Sequence, residues 1–205
     1  QGQQFALLKG SQVRASVNGT NLDTVKMDAA LRYDREGAPF LEGRLSDAVY
    51  EAADGTVSGK GTLTLMKGLE RSTTDGQWTI RIAKGTNVEG TVKKSVLESI
   101  GGDIIIQVDD AKGKLGQGKL GDAVIDIDTW ETSGQVSLTT ARNFFYPGEG
   151  QLMSNGYGLA VMPGTGIKGT IKKDVLSDVG GIFKMMVLDS EGSLARLTLD
   201  ASLDL

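Results

Sequence analysis

The chain repeats itself. Moving Gly85 onto Gly164, a displacement of 79 positions, lays GTNVEGTVKKSVLESIGG over GTGIKGTIKKDVLSDVGG, with Thr91 on Thr170, Lys93-Lys94 on Lys172-Lys173 and Gly101-Gly102 on Gly180-Gly181. A displacement of 75 in the other direction sets Leu41 to Val49 (LEGRLSDAV) against Gly116 to Val124 (GQGKLGDAV) and carries Gly10 onto Gly85 and Leu22 onto Leu97. Three copies follow, over residues 1–77, 78–156 and 157–205, the first diverged and the last short. A period of this size decides the architecture before any local signal does.

The copies read as β structure. Gly is abundant at 29 and Pro scarce at 3, while Val, Ile, Thr and Leu alternate with polar residues in short runs bounded by Gly, Asp and Asn. Runs such as Trp78 to Ile82, Asp103 to Val108, Asp122 to Asp128 and Val136 to Thr140 have period two, as antiparallel strands do. Asp34 to Gly37, Asp109 to Gly113 and Asp189 to Gly192 carry the Asp and Gly of hairpin turns. Asn18-Gly19-Thr20 matches the glycosylation sequon, and Asn-Gly is also a favoured hairpin turn.

One helical signal recurs. Ser95 stands before Val96-Leu97 with Glu98 three residues on, as in a capping box, and Asp174 holds that place in the last copy. Gly101-Gly102 and Gly180-Gly181 fit a left-handed exit, and Leu97/Ile100, Leu176/Val179 and Leu22/Val25 have i, i+3 spacing. The expected fold is therefore mainly β, with three internal repeats of antiparallel strands, each with one short helix, forming a barrel- or sandwich-like array.

Absences narrow the chemistry. Cys and His are both missing, which removes zinc sites of the Cys/His kind, Ser-His-Asp and Cys-His nucleophiles, haem ligation by His and His general bases. No Asp/Glu pair stands out from the turn acids, so a carboxylate-pair glycosidase reading ranks below the others and the chain reads as a non-enzyme. The net charge of -4, with Lys and Arg scattered among the acids, gives no basic face for nucleic acid. No apolar run approaches the roughly 18 residues of a membrane helix. GTGIKGT lacks the Gly-Lys-Ser/Thr ending of a phosphate loop, and no cofactor is expected. A first residue of Gln1 rather than Met fits processing after a signal peptide. The location expected is secreted, in a virion, or periplasmic.

Candidate sites are few. Asp122, Asp126, Asp128 and Glu131 cluster, and on a strand Asp126 and Asp128 would share a face; these acids are the calcium candidates, set against a solvated acidic face. Lys93-Lys94 and Lys172-Lys173 read as solvated charge or a weak anion contact. Phe144, Phe145 and Tyr146 gather three aromatics in one segment, where a contact surface competes with Phe144 and Tyr146 capping the core. Leu205 aligns with Asp126, so no strand in the last copy matches Ser133 to Leu138, and its edge is expected to be completed by a neighbouring copy through the segment Gln1 to Leu8, which includes Phe5 and Leu7.

The order strand, helix, strands from Lys173-Asp-Val-Leu-Ser-Asp-Val through Leu199 resembles the half-domain unit of DNA sliding clamps, which would imply a ring protein. The amphipathic repeats also resemble, in texture, those of AsmA-type lipid-transfer proteins. The leading expectation is a structural subunit that assembles with copies of itself through strand edges and the aromatic segment. The alternative is a binding module for an apolar ligand or lipid.

Overall fold

The computed structural model of the chain describes residues 4–18, 21–51, 55–72 and 76–203. Sixteen strands account for most of them: β1 Gln4–Leu7, β2 Gln12–Asn18, β3 Asn21–Arg35, β4 Ala38–Glu51, β5 Thr56–Leu65, β6 Leu69–Ser72, β7 Trp78–Ile82 and β8 Asn87–Lys93. The second half of the chain continues with β9 Val96–Asp110, β10 Gly113–Asp126, β11 Thr132–Thr140, β12 Phe144–Tyr146, β13 Gly158–Val161, β14 Gly166–Lys172, β15 Val175–Asp189 and β16 Gly192–Leu203. They form a large antiparallel sheet with the hydrogen-bonded order β1-β3-β4-β5-β8-β9-β10-β11-β14-β15-β13-β12, with β2 on β3, β6 on β7, β7 on β9 and β16 on β15. The strand bounds recur: β2, β3 and β4 moved by 75 positions give the bounds of β8, β9 and β10, and β8 and β9 moved by 79 give those of β14 and β15.

The three expected hairpins form. β3 turns into β4 through Glu36-Gly37, β9 into β10 before Gly113, and β15 into β16 before Gly192. In the last of these, Asp189 Oδ1 accepts the backbone N–H groups of Glu191 (2.9 Å) and Gly192 (3.0 Å), which is why Asp opens the turn. The Asn18-Gly19-Thr20 turn lies largely outside the described residues.

No helix occurs among the described residues, and the expected short helices are strand. Lys94 and Ser95 both have left-handed backbone (φ 48° and 59°), as do Lys173 and Asp174 (50° and 65°), so each pair forms a two-residue hairpin turn of the type that matches strand twist. The i, i+3 spacing has a β explanation. Val92 faces Leu97 and Thr91 faces Ser99, so Glu98 is an extra residue that bulges out and returns Leu97 and Ile100 to one face. The same slip occurs between Ser16 and Val17 against β3, and between Lys168 and Thr170 against β15. Gly101-Gly102 is mid-strand rather than a helix exit: a Cβ on Gly101 would lie 2.0 Å from the Ala123 carbonyl oxygen. With the helix gone, the strand-helix-strand order behind the sliding-clamp resemblance is absent.

Two compact units divide the chain. The first contains Gln1–Leu69, Ala83–Ile104 and Asp122–Thr132; the second contains Glu70–Ile82, Ile105–Gly121 and Ser133–Leu205. In the first, Ala29, Leu31, Tyr33, Leu41, Leu45, Leu63, Leu65, Leu97, Ile100, Ile104 and Ile127 are buried. Each leucine and isoleucine among them contributes about 1.5–3 kcal/mol by leaving water. In the second, Ile82, Ile106, Val108, Leu115, Leu120 and Ala160 are buried, beside the polar Asp109, Thr140 and Thr165.

Candidate functional site

Two features emerge, one in each unit. In the first unit, alternation along β3 sends Val25, Met27, Ala29 and Leu31 to one face. Together with Phe5, Ala6 and Leu7 of β1, Leu45 and Tyr50 of β4, Gly55, Val57, Val92 and Ser95, they line a cavity of about 490 Å³. That volume falls within the range of small-molecule sites. The lining is apolar except for two hydroxyl groups. Ser95 Oγ is already engaged, accepting the Val57 N–H at 2.9 Å. No carboxylate or ammonium group is part of the lining, so the cavity suits an apolar group and supplies no acid–base pair.

In the second unit, the last two strands expose what their counterparts bury. Leu97, Leu115 and Leu120 are 0%, 7% and 4% exposed, whereas Leu176, Leu194 and Leu199, each 79 positions later, are 41%, 59% and 44% exposed. Leu197 departs further. Its counterparts are Gly118 and Gly43, where a Cβ would meet the Ser137 carbonyl oxygen at 1.9 Å and the Thr62 carbonyl oxygen at 2.2 Å. At those glycines β11 and β5 approach too closely for a side chain. At Leu197, 43% exposed, no such strand lies alongside among the described residues.

The sequence-predicted residues fall as follows. Asp126 ends β10, and Asp128 lies in the turn beyond it, so the two do not share a strand face as expected. Asp126 Oδ1 instead accepts N–H groups from Thr129 (2.7 Å) and Asp128 (2.9 Å) and the Thr129 hydroxyl (2.8 Å). The Thr129 bonds, with that from Asp128, hold its carboxyl below the usual range. Asp128 and Glu131 also have partners, and among the described residues no three acidic groups gather to hold a metal ion.

Phe144, Phe145 and Tyr146 form β12, paired with Val161, Ala160 and Leu159 of β13. Phe144 and Tyr146 are exposed and Phe145 is half-buried, the reverse of the arrangement in which Phe144 and Tyr146 cap the core. Phe5 packs on Tyr33 with ring centroids 5.0 Å apart, and Leu7 is exposed at the cavity. Gln4–Leu7 pairs along one edge with Leu31 to Asp34 of its own β3 and stands at the end of the strand order. Residues 1–3 of that expected segment lie outside the described residues. Lys94 and Lys173 sit in turns.

Sequence reasoning missed the cavity because its lining is scattered from Phe5 to Ser95 and each member reads as ordinary core. It also passed over Leu197, whose alignment with two glycines is visible in the sequence.

Two neighbouring acids of the second unit are paired. Asp109, buried, receives Arg81 (2.9 Å) and the Gln107 amide (2.7 Å). Asp110 pairs with Arg142; burial pushes its carboxyl up, but bonds from Arg142 and the Lys112 N–H outweigh that and hold it low. No helix among the described residues is long and apolar enough to cross a membrane. No family model, curated protein or solved structure matches the chain.

Proposed function

We propose that the chain is a non-enzymatic structural subunit, secreted, periplasmic or in a virion, that assembles with copies of itself. The observation that carries this is the exposure of Leu176, Leu194 and Leu199 at positions whose counterparts are core. Side chains of this size on adjoining strands form an apolar surface of the kind that marks protein contacts. In this reading three copies, 1–77, 78–156 and 157–205, stand in a continuous β array, joined where β5 pairs with β8 and β11 with β14. Its support is the recurrence of strand bounds at 75 and 79 positions and of one hydroxyl bridge. Ser11 Oγ donates to the Leu8 carbonyl (2.9 Å) and accepts the Ala30 N–H (3.1 Å); Thr165 Oγ1 does the same with Met162 (2.9 Å) and Lys184 (3.0 Å). Exposed Phe144 and Tyr146 add a second contact surface.

Size-exclusion chromatography with light scattering tests the proposal. A mass of two or more chains, retained on dilution, is expected; the mass of one chain at every concentration would refute it.

A second reading, carriage of an apolar ligand or lipid, is favoured by the cavity beside β3. Native mass spectrometry would then find a bound lipid that is lost in Ala29→Phe, a variant that fills the space.

A further inference from the structure

We propose that two copies of this chain pair edge to edge through β16, antiparallel, about a two-fold axis at Thr198. The inference rests on the self-assembly reading above and names the surface that performs it.

Three observations converge on β16. Its only partner among the described residues is β15, so its other edge presents a row of backbone donors and acceptors. After the bulge at Leu194, which falls between Ser193 opposite Leu188 and Ala195 opposite Val187, the register with β15 is regular from Ala195 to Leu203, giving a straight edge. The edge is also self-complementary. Read outward from Thr198, the sequence Ala195-Arg196-Leu197-Thr198-Leu199-Asp200-Ala201 places Leu opposite Leu, Arg opposite Asp and Ala opposite Ala when two copies run antiparallel. A two-fold axis makes every one of these pairs twice, as an isologous contact requires.

Charges on an edge strand ordinarily repel strand addition. Here they select the register, because Arg196 and Asp200 fit only a partner carrying the opposite sign at the mirrored place. Neither makes a hydrogen bond or an ion pair among the described residues. The pattern belongs to the third copy alone: Arg196 and Asp200 correspond to Gln117 and Gly121 in the middle copy and to Glu42 and Ser46 in the first, where β11 and β5 already occupy the edge.

Leu197 separates this occupant from a strand of the β5 or β11 kind. Such a strand approaches so closely that only glycine fits at Gly43 and Gly118, and a leucine there would drive its Cβ into a backbone carbonyl. Ordinary edge pairing leaves room for a side chain and sets Leu197 beside Leu199 of the second copy, covering two leucines that are 43% and 44% exposed.

Charge exchange tests the register. Arg196→Asp sets acid against acid, and Asp200→Arg sets base against base, so each variant alone is expected to dissociate about tenfold more readily in sedimentation equilibrium. Mixing the two restores both ion pairs, and a one-to-one heterodimer should form in preference to either homodimer. The double variant should associate as the original chain does. In a chain without cysteine, Thr198→Cys should give a disulfide-linked dimer on mild oxidation while Ser202→Cys should not, since only the axial residue meets its own copy. Unchanged association of both charge variants, or no preference for the mixture, would overturn the β16 pairing while leaving self-assembly by another surface standing. A chain that is monomeric throughout would remove both.

Discussion

Thr165 shows how much one buried hydroxyl does in a sheet with so many irregularities. It is fully buried, donates to the Met162 carbonyl, lies within reach of the Lys184 carbonyl (3.1 Å) and accepts the Lys184 N–H. Thr165→Val keeps the shape and strands that N–H, so a loss of about 1–3 kcal/mol in denaturant unfolding is expected, while Thr165→Ser keeps the bonds and loses less. Glycine is the other residue-scale determinant. A Cβ on Gly61 would stand 1.9 Å from the Arg44 carbonyl oxygen, whereas one on Gly166 has nothing within 4 Å. Gly61→Ala should therefore cost about 1–3 kcal/mol or more and Gly166→Ala almost nothing, as thermal melts of the pair would show.

At the scale of elements, the β8–β9 hairpin is decided by its turn. Lys94 and Ser95 both take left-handed backbone, a conformation asparagine tolerates and β-branched residues resist. Lys94→Asn is expected to raise the melting temperature slightly, and Lys94→Val to lower stability by about 1–2 kcal/mol. Opposite signs from one exposed position would establish that turn geometry, not side-chain contact, sets the effect. The helix expected here fails for a related reason. A capping box and a bulged hairpin both place small polar residues before an i, i+3 apolar pair, and a segment this short has too few turns to favour helix over a sheet that offers hydrogen bonds on both sides.

At the scale of the whole molecule, the acidic groups hold the fold by local bonds. Asp110 is bonded by Arg142 and Lys112, Glu149 is held low by the Lys112 ammonium, and Asp126 by Thr129 and Asp128. Each titrates lower in the folded chain than in the unfolded one, so the unfolded chain binds more protons near pH 4 and below. Stability is thus expected to be full above that range and to fall as the pH drops through it. Melting temperatures between pH 7 and pH 3 would check this, with Asp110→Asn showing a shallower decline.

What the sequence determined was the class and the punctuation. Period-two alternation and the Asp and Gly at Asp34 to Gly37, Asp109 to Gly113 and Asp189 to Gly192 are local properties, and the strands and their hairpins follow them. Only the tertiary structure decided whether Leu97 and Ile100 lie on a helix or astride a bulge, since an extra residue such as Glu98 is defined by the strand opposite it. It alone joined Phe5, Val25, Met27 and Val92 around one cavity, because burial depends on what lies across the sheet. And it alone separated Leu120 from Leu199, two leucines 79 positions apart: the first is covered and the second meets solvent, since a side chain's surroundings are supplied by its neighbours and not by its own place in the sequence.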